Sequence, residues 1–343
     1  MELLTSSDAD IFRAAAAIRA GALVAFPTET VYGLGGDAFN TKALARIFAA
    51  KNRPFFDPLI IHVAGIPALD RIVLWENLDK TAKKKFSLLS ESFWPGPLTL
   101  ILPKRPELPD LANAGLPSAA VRFPSNKTAQ KLIELSTGAV AAPSANPFGC
   151  LSPVRAAHVA EQLGDRVDFI VDGGKTGVGV ESTVLDITAE PAVLLRPGGV
   201  SREQIEAVIG PVEIHDEAAG GSAQKSPGQL KSHYAPHTPL FLFPGGGLSA
   251  IPLSPDEGRL YFSFPGEGAL AKNGLTVTGE PETAGGRVRF LSLTGDPTEA
   301  AANFFDILHE LDRLGLALIR AEEAPPAGLG AAINDRLRRA CAR

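Results

Sequence analysis

With only two cysteines, Cys150 and Cys341, in 343 residues, the chain can build neither a disulfide framework nor a four-cysteine zinc site. Long apolar runs are missing too: none approaches the roughly 20 residues that span a bilayer. The first residues carry Glu2, Asp8 and Asp10 before an alanine run, which is unlike a secretory signal. A cytoplasmic location is expected. Positive charge is not in excess either. A formal net charge of -5 argues against a generic nucleic-acid coat, while leaving room for a local basic face. No internal repeat is found.

What is present is ordinary globular material, 45% hydrophobic and 21% charged, long enough for two domains that each bury a core. Helical and strand-like segments alternate. Ser7 or Asp8 can cap a helix through Ile18, and Asn40 or Thr41 opens another through Ala50. Ser125 can cap a helix over 127–135, and Pro153 can begin one towards Leu163. Apolar stretches at 22–26, 59–63, 98–102, 119–123 and 169–172 read as strands. The connection between 184–187 and 192–195 is too short for a helical crossover, so a twisted mixed sheet is expected rather than a purely parallel one. Residues 213–239 are polar, rich in Gly and Pro and without apolar periodicity, which marks a linker. Strands at 240–243, 259–262 and 316–319, with helices at 299–314 and from Ala331, then predict a second, smaller α/β domain. The expected organisation is 1–212, a linker at 213–239, and 240–343.

Two familiar phosphate patterns fail on inspection. Gly33-Leu34-Gly35-Gly36-Asp37-Ala38 fits G-x-G-x-x-A, but Pro27–Tyr32 separates it from the preceding strand and helical character begins only near Asn40. The dinucleotide motif needs a tight strand-turn-helix. Gly174-Lys175-Thr176 resembles the end of a P-loop, yet Phe169 stands where the first glycine is required.

The remaining chemistry sits at strand ends. Pro27-Thr28-Glu29-Thr30-Val31-Tyr32-Gly33 presents hydroxyls, a carboxylate and bare backbone after an apolar run, where α/β proteins bind ligands. Lys51, Arg53 and Asp57 follow; basic residues at a helix end ordinarily just complement its dipole. Arg122 interrupts an apolar strand and is a candidate carboxylate or phosphate clamp, although strand arginines often lie on a solvent face. His62 follows three aliphatic residues, so a satisfied core histidine is the default. Pro143-Ser144-Ala145-Asn146, Glu181-Ser182-Thr183 and Arg196-Pro197-Gly198 each place small polar or cationic groups at a strand edge. Any one could be a plain turn; together they suggest a small polar substrate beside a phosphorylated one.

These motifs, with Lys51-x-Arg53-Pro54, Pro58-Leu59-Ile60-Ile61-His62 and Phe93-Trp94-Pro95-Gly96-Pro97-Leu98-Thr99, stand in the order found in the YrdC-type threonylcarbamoyl-AMP synthases. The resemblance covers nearly the whole chain. Ser232-His233-Tyr234-Ala235-Pro236 resembles the linker signature of the long form, and 328–337 its C-terminal helix. It implies a YrdC-like domain with a Rossmann-like second domain, and formation of threonylcarbamoyl-AMP and pyrophosphate from ATP, L-threonine and bicarbonate. The product would pass to a tRNA-modifying threonylcarbamoyl transferase complex acting on the adenosine beside the anticodon.

By motif position, Thr30, His62, Arg122, Ala142 and Ser182 would contact threonine. Arg53, Asp57, Ser118, Ser144, Ser152, Arg196 and Tyr234 would contact ATP. Lys51 would face the phosphates, and Mg²⁺ would accompany ATP; no protein metal site is expected. Lys51 and Arg53 are the residues expected to carry catalysis, through charge and positioning rather than a protein nucleophile. Gly33 and Gly35 would let backbone approach the ligand, and a linker bearing Tyr234 would close over ATP as a lid. Asn52 and Asp57 depart from the family's usual Gly and Asn. Alternatives are the carbamoyl-adenylate-forming module of hydrogenase maturation, whose zinc fingers two cysteines cannot supply, a threonine or nucleotide sensor, and an RNA-binding module. Weak RNA binding as a side property fits a locally basic face.

Overall fold

The computed structural model describes residues 1–215, 233–264 and 287–342. The chain divides into two compact units. The first comprises Met1–Phe148, Ser152–Gly177 and Glu181–Gln229; the second comprises Gly149–Leu151, Val178–Val180 and Leu230–Arg343. The expected linker begins differently from its sequence reading. Glu213 and Ile214 pair in parallel with residues 193–194 as a short strand, because backbone at a sheet edge gains hydrogen bonds whatever its polarity. Residues 216–232, Ser232 of the linker signature among them, lie outside the described residues.

In chain order the first unit begins β1 (Glu2–Thr5), α1 (Asp8–Arg19), β2 (Val24–Phe26), β3 (Gly33–Asp37), α2 (Thr41–Lys51) and β4 (Ile60–Val63). Next come α3 (Lys80–Phe93), β5 (Leu98–Pro103), α4 (Asp110–Asn113), β6 (Ser118–Arg122), α5 (Lys127–Leu135) and β7 (Ala139–Ala141). It closes with α6 (Ala156–Leu163), β8 (Phe169–Asp172), β9 (Thr183–Asp186), β10 (Val193–Arg196), α7 (Arg202–Ile209) and β11 (Glu213–Ile214). The strands form an eleven-stranded mixed sheet among the described residues, in the order β1-β8-β2-β3-β7-β4-β6-β5-β9-β10-β11.

Local chemistry sets the boundaries. Asn40 caps α2 by accepting the N–H groups of Lys42 and Ala43. The helix ends at Asn52, whose φ of 51° is left-handed, a conformation that suits Gly and, next to it, Asn. The cap of α5 is Asn126 rather than Ser125. Helix α6 begins at Ala156 rather than Pro153, since the Pro153 carbonyl accepts the Tyr32 N–H at 2.8 Å.

The glycine-rich stretch is a strand, β3, lying antiparallel on β2 with Gly35 opposite Val24. That geometry removes the turn a dinucleotide motif needs. It also corrects the expectation that Gly35 admits a ligand: a Cβ there would fall 2.6 Å from the Phe26 ring and 2.9 Å from Val140. Side chains of the core fill the space.

Pleat alternation divides the central strands into two faces. Ile61, Leu100, Val121, Leu185 and Leu194 point into the main core. Ile60, Ile101, Ala120, Val184 and Leu195 form a separate apolar floor on the other face. By the same alternation His62, Thr99, Ser118 and Arg122 stand on the floor's side of the sheet.

The second unit contains β12 (Leu240–Phe243), β13 (Glu257–Ser263), β14 (Val288–Ser292), α8 (Pro297–Asp312), β15 (Leu318–Glu322) and α9 (Leu329–Cys341). Its sheet runs β12-β15-β13-β14 with every pair parallel, the Rossmann-like layout expected. Strand β14 escaped the sequence reading. Among the described residues no helix is long and apolar enough to cross a membrane.

Gly35→Ala should overpack the Phe26–Val140 contact and destabilise the first unit by about 1–3 kcal/mol. Urea denaturation checks this; an unchanged midpoint would show that the contact yields freely.

Candidate functional site

Segment 27–32 leaves β2 and returns as β3, and its hydroxyls are tied to one another. Thr28 Oγ1 donates to the Val31 carbonyl at 2.6 Å. Its one proton is thereby used, so Thr30 Oγ1 must donate in the 2.8 Å contact between the two hydroxyls. Thr30 in turn accepts from Arg122 Nη1 at 2.9 Å. Arg122 ends β6, 3% exposed; its Nε donates to the Gly96 carbonyl at 3.3 Å, and Nη2 lies 2.6 Å from Glu29 Oε1. Arg122 is thus not on a solvent face. Its strand neighbours in register are His62 and Thr99.

His62 is a buried histidine with a structural tether, its Nδ1 lying 3.2 Å from the Ile60 carbonyl. A donating Nδ1–H leaves Nε2 as the lone-pair nitrogen. Burial, and then the neighbouring Arg122 charge, lower its pKa to about 3. The ring is neutral at physiological pH. Thr99 Oγ1 meets Ser182 Oγ at 2.8 Å, and Arg196 Nη2 donates to the Ser182 carbonyl at 2.9 Å. Gly198 lets loop 196–199 press on that strand edge, for a Cβ there would fall 2.4 Å from the Glu181 carbonyl. Ala142 can offer only backbone; its N–H donates to the Ile60 carbonyl at 2.9 Å.

A second group gathers at the end of α2. Lys51 does more than complement a helix dipole: its Nζ is buried and donates to the carbonyls of Ser144, at 2.6 Å, and Asn146. Arg53 donates to the carbonyls of Asp57, at 3.1 Å, and Pro58, at 2.9 Å. It also pairs with the Asp57 carboxylate at 2.8 Å. Burial pushes the Asp57 pKa up, while Arg53, Lys51 and Arg196 pull against it. Those three cations therefore share one electrostatic neighbourhood with the Asp57 carboxylate. Ser152 Oγ donates to Glu181 Oε1.

Thr30, His62, Arg122 and Ser182 are therefore brought together, with Ala142 joined through Ile60. Lys51, Arg53, Asp57, Ser144 and Arg196 form the adjoining group. Ser118 stands at the far end of β6 from Arg122, two residues before the Ala120 that pairs with Ile60. Tyr234 belongs to the second unit. There its buried ring, at φ 62°, lies 5.8 Å from the Phe305 ring and 5.3 Å from the Arg336 guanidinium. Glu29, Thr99 and Glu181 received no role from sequence. Thr99 was findable by alternation with Ile101 on the floor side; the other two were visible only as members of motifs. Chemically, the arrangement combines buried guanidinium and ammonium groups, which are able to bind carboxylates or phosphates, with small hydroxyls.

Comparison with known proteins is consistent along the chain. Residues 16–198 match the Sua5, YciO and YrdC family model described as "Telomere recombination". Residues 200–342 match "Threonylcarbamoyl-AMP synthase, C-terminal domain". The threonylcarbamoyl-AMP synthase of Pyrococcus abyssi is 44% identical over 95% of this chain and 92% of its own length. That of Bacillus subtilis is 42% identical over 98% and 94%. The crystal structure of P. abyssi Sua5 complexed with L-threonine superposes with a TM-score of 0.82 and 40% identity, covering 99% of this chain and 98% of that one.

The depressed His62 pKa has a definite sign. The unfolded chain takes up a proton near pH 6.5 and the folded one only near 3, so stability falls as pH drops between those values, by up to about 1.4 kcal/mol per pH unit. His62→Gln should remove that part of the slope in denaturation curves taken across the interval, whatever its effect on absolute stability. An unaltered slope would exclude His62 as the source.

Proposed function

The chain belongs to the threonylcarbamoyl-AMP synthase family, and from that premise we propose that it forms threonylcarbamoyl-AMP and pyrophosphate from ATP, L-threonine and bicarbonate. The observation that carries this reading is the buried Arg122, tethered to Thr30 and in register with His62. A guanidinium so held is preorganised for a carboxylate, which it can meet with two parallel N–H groups. Thr30, His62, Ser182 and the Ala142 backbone surround threonine in this reading. Arg53, Asp57, Ser118, Ser144, Ser152 and Arg196 attend ATP, with Lys51 towards its phosphates. Tyr234 is assigned to ATP by motif position alone, and its closing as part of a lid has the same basis.

The chemistry asks for little covalent work by the protein. Threonine's amine adds to bicarbonate-derived carbon, and the carbamate oxygen attacks the α-phosphate. Held cations stabilise charge as pyrophosphate leaves, and fixed reactants lower the entropic cost of meeting. Mg²⁺ would neutralise triphosphate charge, held mainly by phosphate and water oxygens; Asp57 is already paired with Arg53. The neutral His62 adds no competing charge at the threonine end. The adenylate would pass, in the cytoplasm, to a transferase complex that modifies the adenosine beside the anticodon in tRNAs reading codons that begin with A.

Purified protein given ATP, threonine and labelled bicarbonate should release pyrophosphate in a threonine-dependent manner; no such release would sink the synthase reading. Arg122→Ala should raise the threonine KM on the order of 10- to 100-fold, the worth of a charge-assisted contact, with ATP affinity nearly unchanged. Equal loss of both would overturn the clamp.

A further inference from the structure

Glu29 is the one carboxylate the site places against Arg122 among the described residues, and its surroundings do not suit a structural salt bridge. The two side chains are 12% and 4% exposed and approach to 2.6 Å. Yet neither Glu29 oxygen, nor Arg122 Nη2, takes part in a directed hydrogen bond. The contact is an ion pair with poor geometry. A buried pair repays its desolvation only when further hydrogen bonds satisfy the charges, and buried orphan acceptors call for a reason. Arg122 does not depend on Glu29 for its pose, since Thr30 and the Gly96 carbonyl already fix it.

A zwitterionic amino acid supplies what is missing. Its carboxylate and ammonium stand on one carbon, and Arg122 and Glu29 offer the opposite charges side by side. Resting on the reading that this pocket takes threonine, we propose that Glu29 receives the α-ammonium and accepts the proton released as the carbamate forms. Threonine ammonium and bicarbonate give the N-carboxylate, water and one proton. A C–N bond forms, the C–OH bond of bicarbonate breaks, and its oxygen leaves as water with one N–H proton. The second N–H proton goes to the Glu29 carboxylate, leaving the neutral carbamate nitrogen. The other groups nearby are poorly suited to that transfer. His62 is neutral and weakly basic, Asp57 faces Arg53, and Glu181 accepts from Ser152. Lys51, Arg53 and Arg196 are donors.

The test compares threonine with 3-hydroxybutanoate, which keeps the carboxylate and hydroxyl but lacks the ammonium, by calorimetry on full-length protein. Wild type should favour threonine strongly. Glu29→Gln should weaken threonine on the order of 10- to 100-fold while leaving 3-hydroxybutanoate nearly unchanged. Turnover at saturating threonine should fall on the order of 100-fold or more. Parallel weakening of both ligands would make Glu29 a positioning residue for Arg122 and overturn the proposal. Tighter binding of both would make Glu29 a competitor for Arg122 and overturn it equally. Should Glu29→Gln fail to fold, Glu29→Asp, which keeps the charge but withdraws it, must show the same selective loss. Wild type that neither binds threonine nor releases pyrophosphate would instead remove the synthase reading on which this rests.

Discussion

A buried guanidinium organises this protein's first unit. Arg122 has left water at the end of a central strand, at a cost of several kcal/mol unless its donors are met. Two are met, by a hydroxyl of segment 27–32 and the carbonyl of Gly96 ahead of β5, while the Glu29 carboxylate offsets the charge without a directed hydrogen bond. Segment 27–32 and Gly96 are far apart in sequence, so satisfying one cation ties those two stretches to β6. Thr30 is oriented in turn by Thr28, whose proton is spent on Val31. The polar site is thereby as determined as the core behind it.

The second cationic group follows the same logic with a different balance. Lys51 is satisfied by loop carbonyls, whereas Arg53 relies on an internal anion, Asp57, as well as on carbonyls. Internal satisfaction keeps several positive charges close together without an external counter-ion. Neutral carbonyl oxygens are weaker acceptors for these cations than an anionic group would be. The apolar floor of Ile60, Ile101, Ala120, Val184 and Leu195 shares a sheet face with Arg122, so that charge acts with less solvent screening than at a surface.

Much of this was legible in sequence because it rests on local periodicity. Strands at 98–102, 119–123, 169–172 and 240–243 obey apolar patterning, and their observed bounds agree within a residue or so. The mixed sheet followed from short connections. Where local signals misled, a specific competitor won. Asn126 out-competed Ser125 as a cap, and Pro153 is held by the Tyr32 N–H instead of opening α6. Strands β1 and β14, of four and five residues, depend on pairing partners that local patterning does not reveal. The glycines of β3 looked like ligand-approach positions, but at Gly35 the neighbour is Phe26.

Sequence by itself determined the composition of the site, since motif order and residue type depend on nothing distant. It named Thr30, His62, Arg122, Ser182, Lys51, Arg53 and Arg196 without knowing which of them meet. Only the tertiary structure decided the pairings: His62 beside Arg122 across a parallel register, Ser182 between Thr99 and Arg196, and Asp57 answering Arg53. It also singled out Glu29, an unremarked carboxylate within its motif, as the partner of Arg122. The physical reason is that burial and charge are properties of neighbourhoods. A residue's chemistry is written in its side chain, but its ionisation, its partners and the ligand it can accept are set by what the fold brings within a few ångströms.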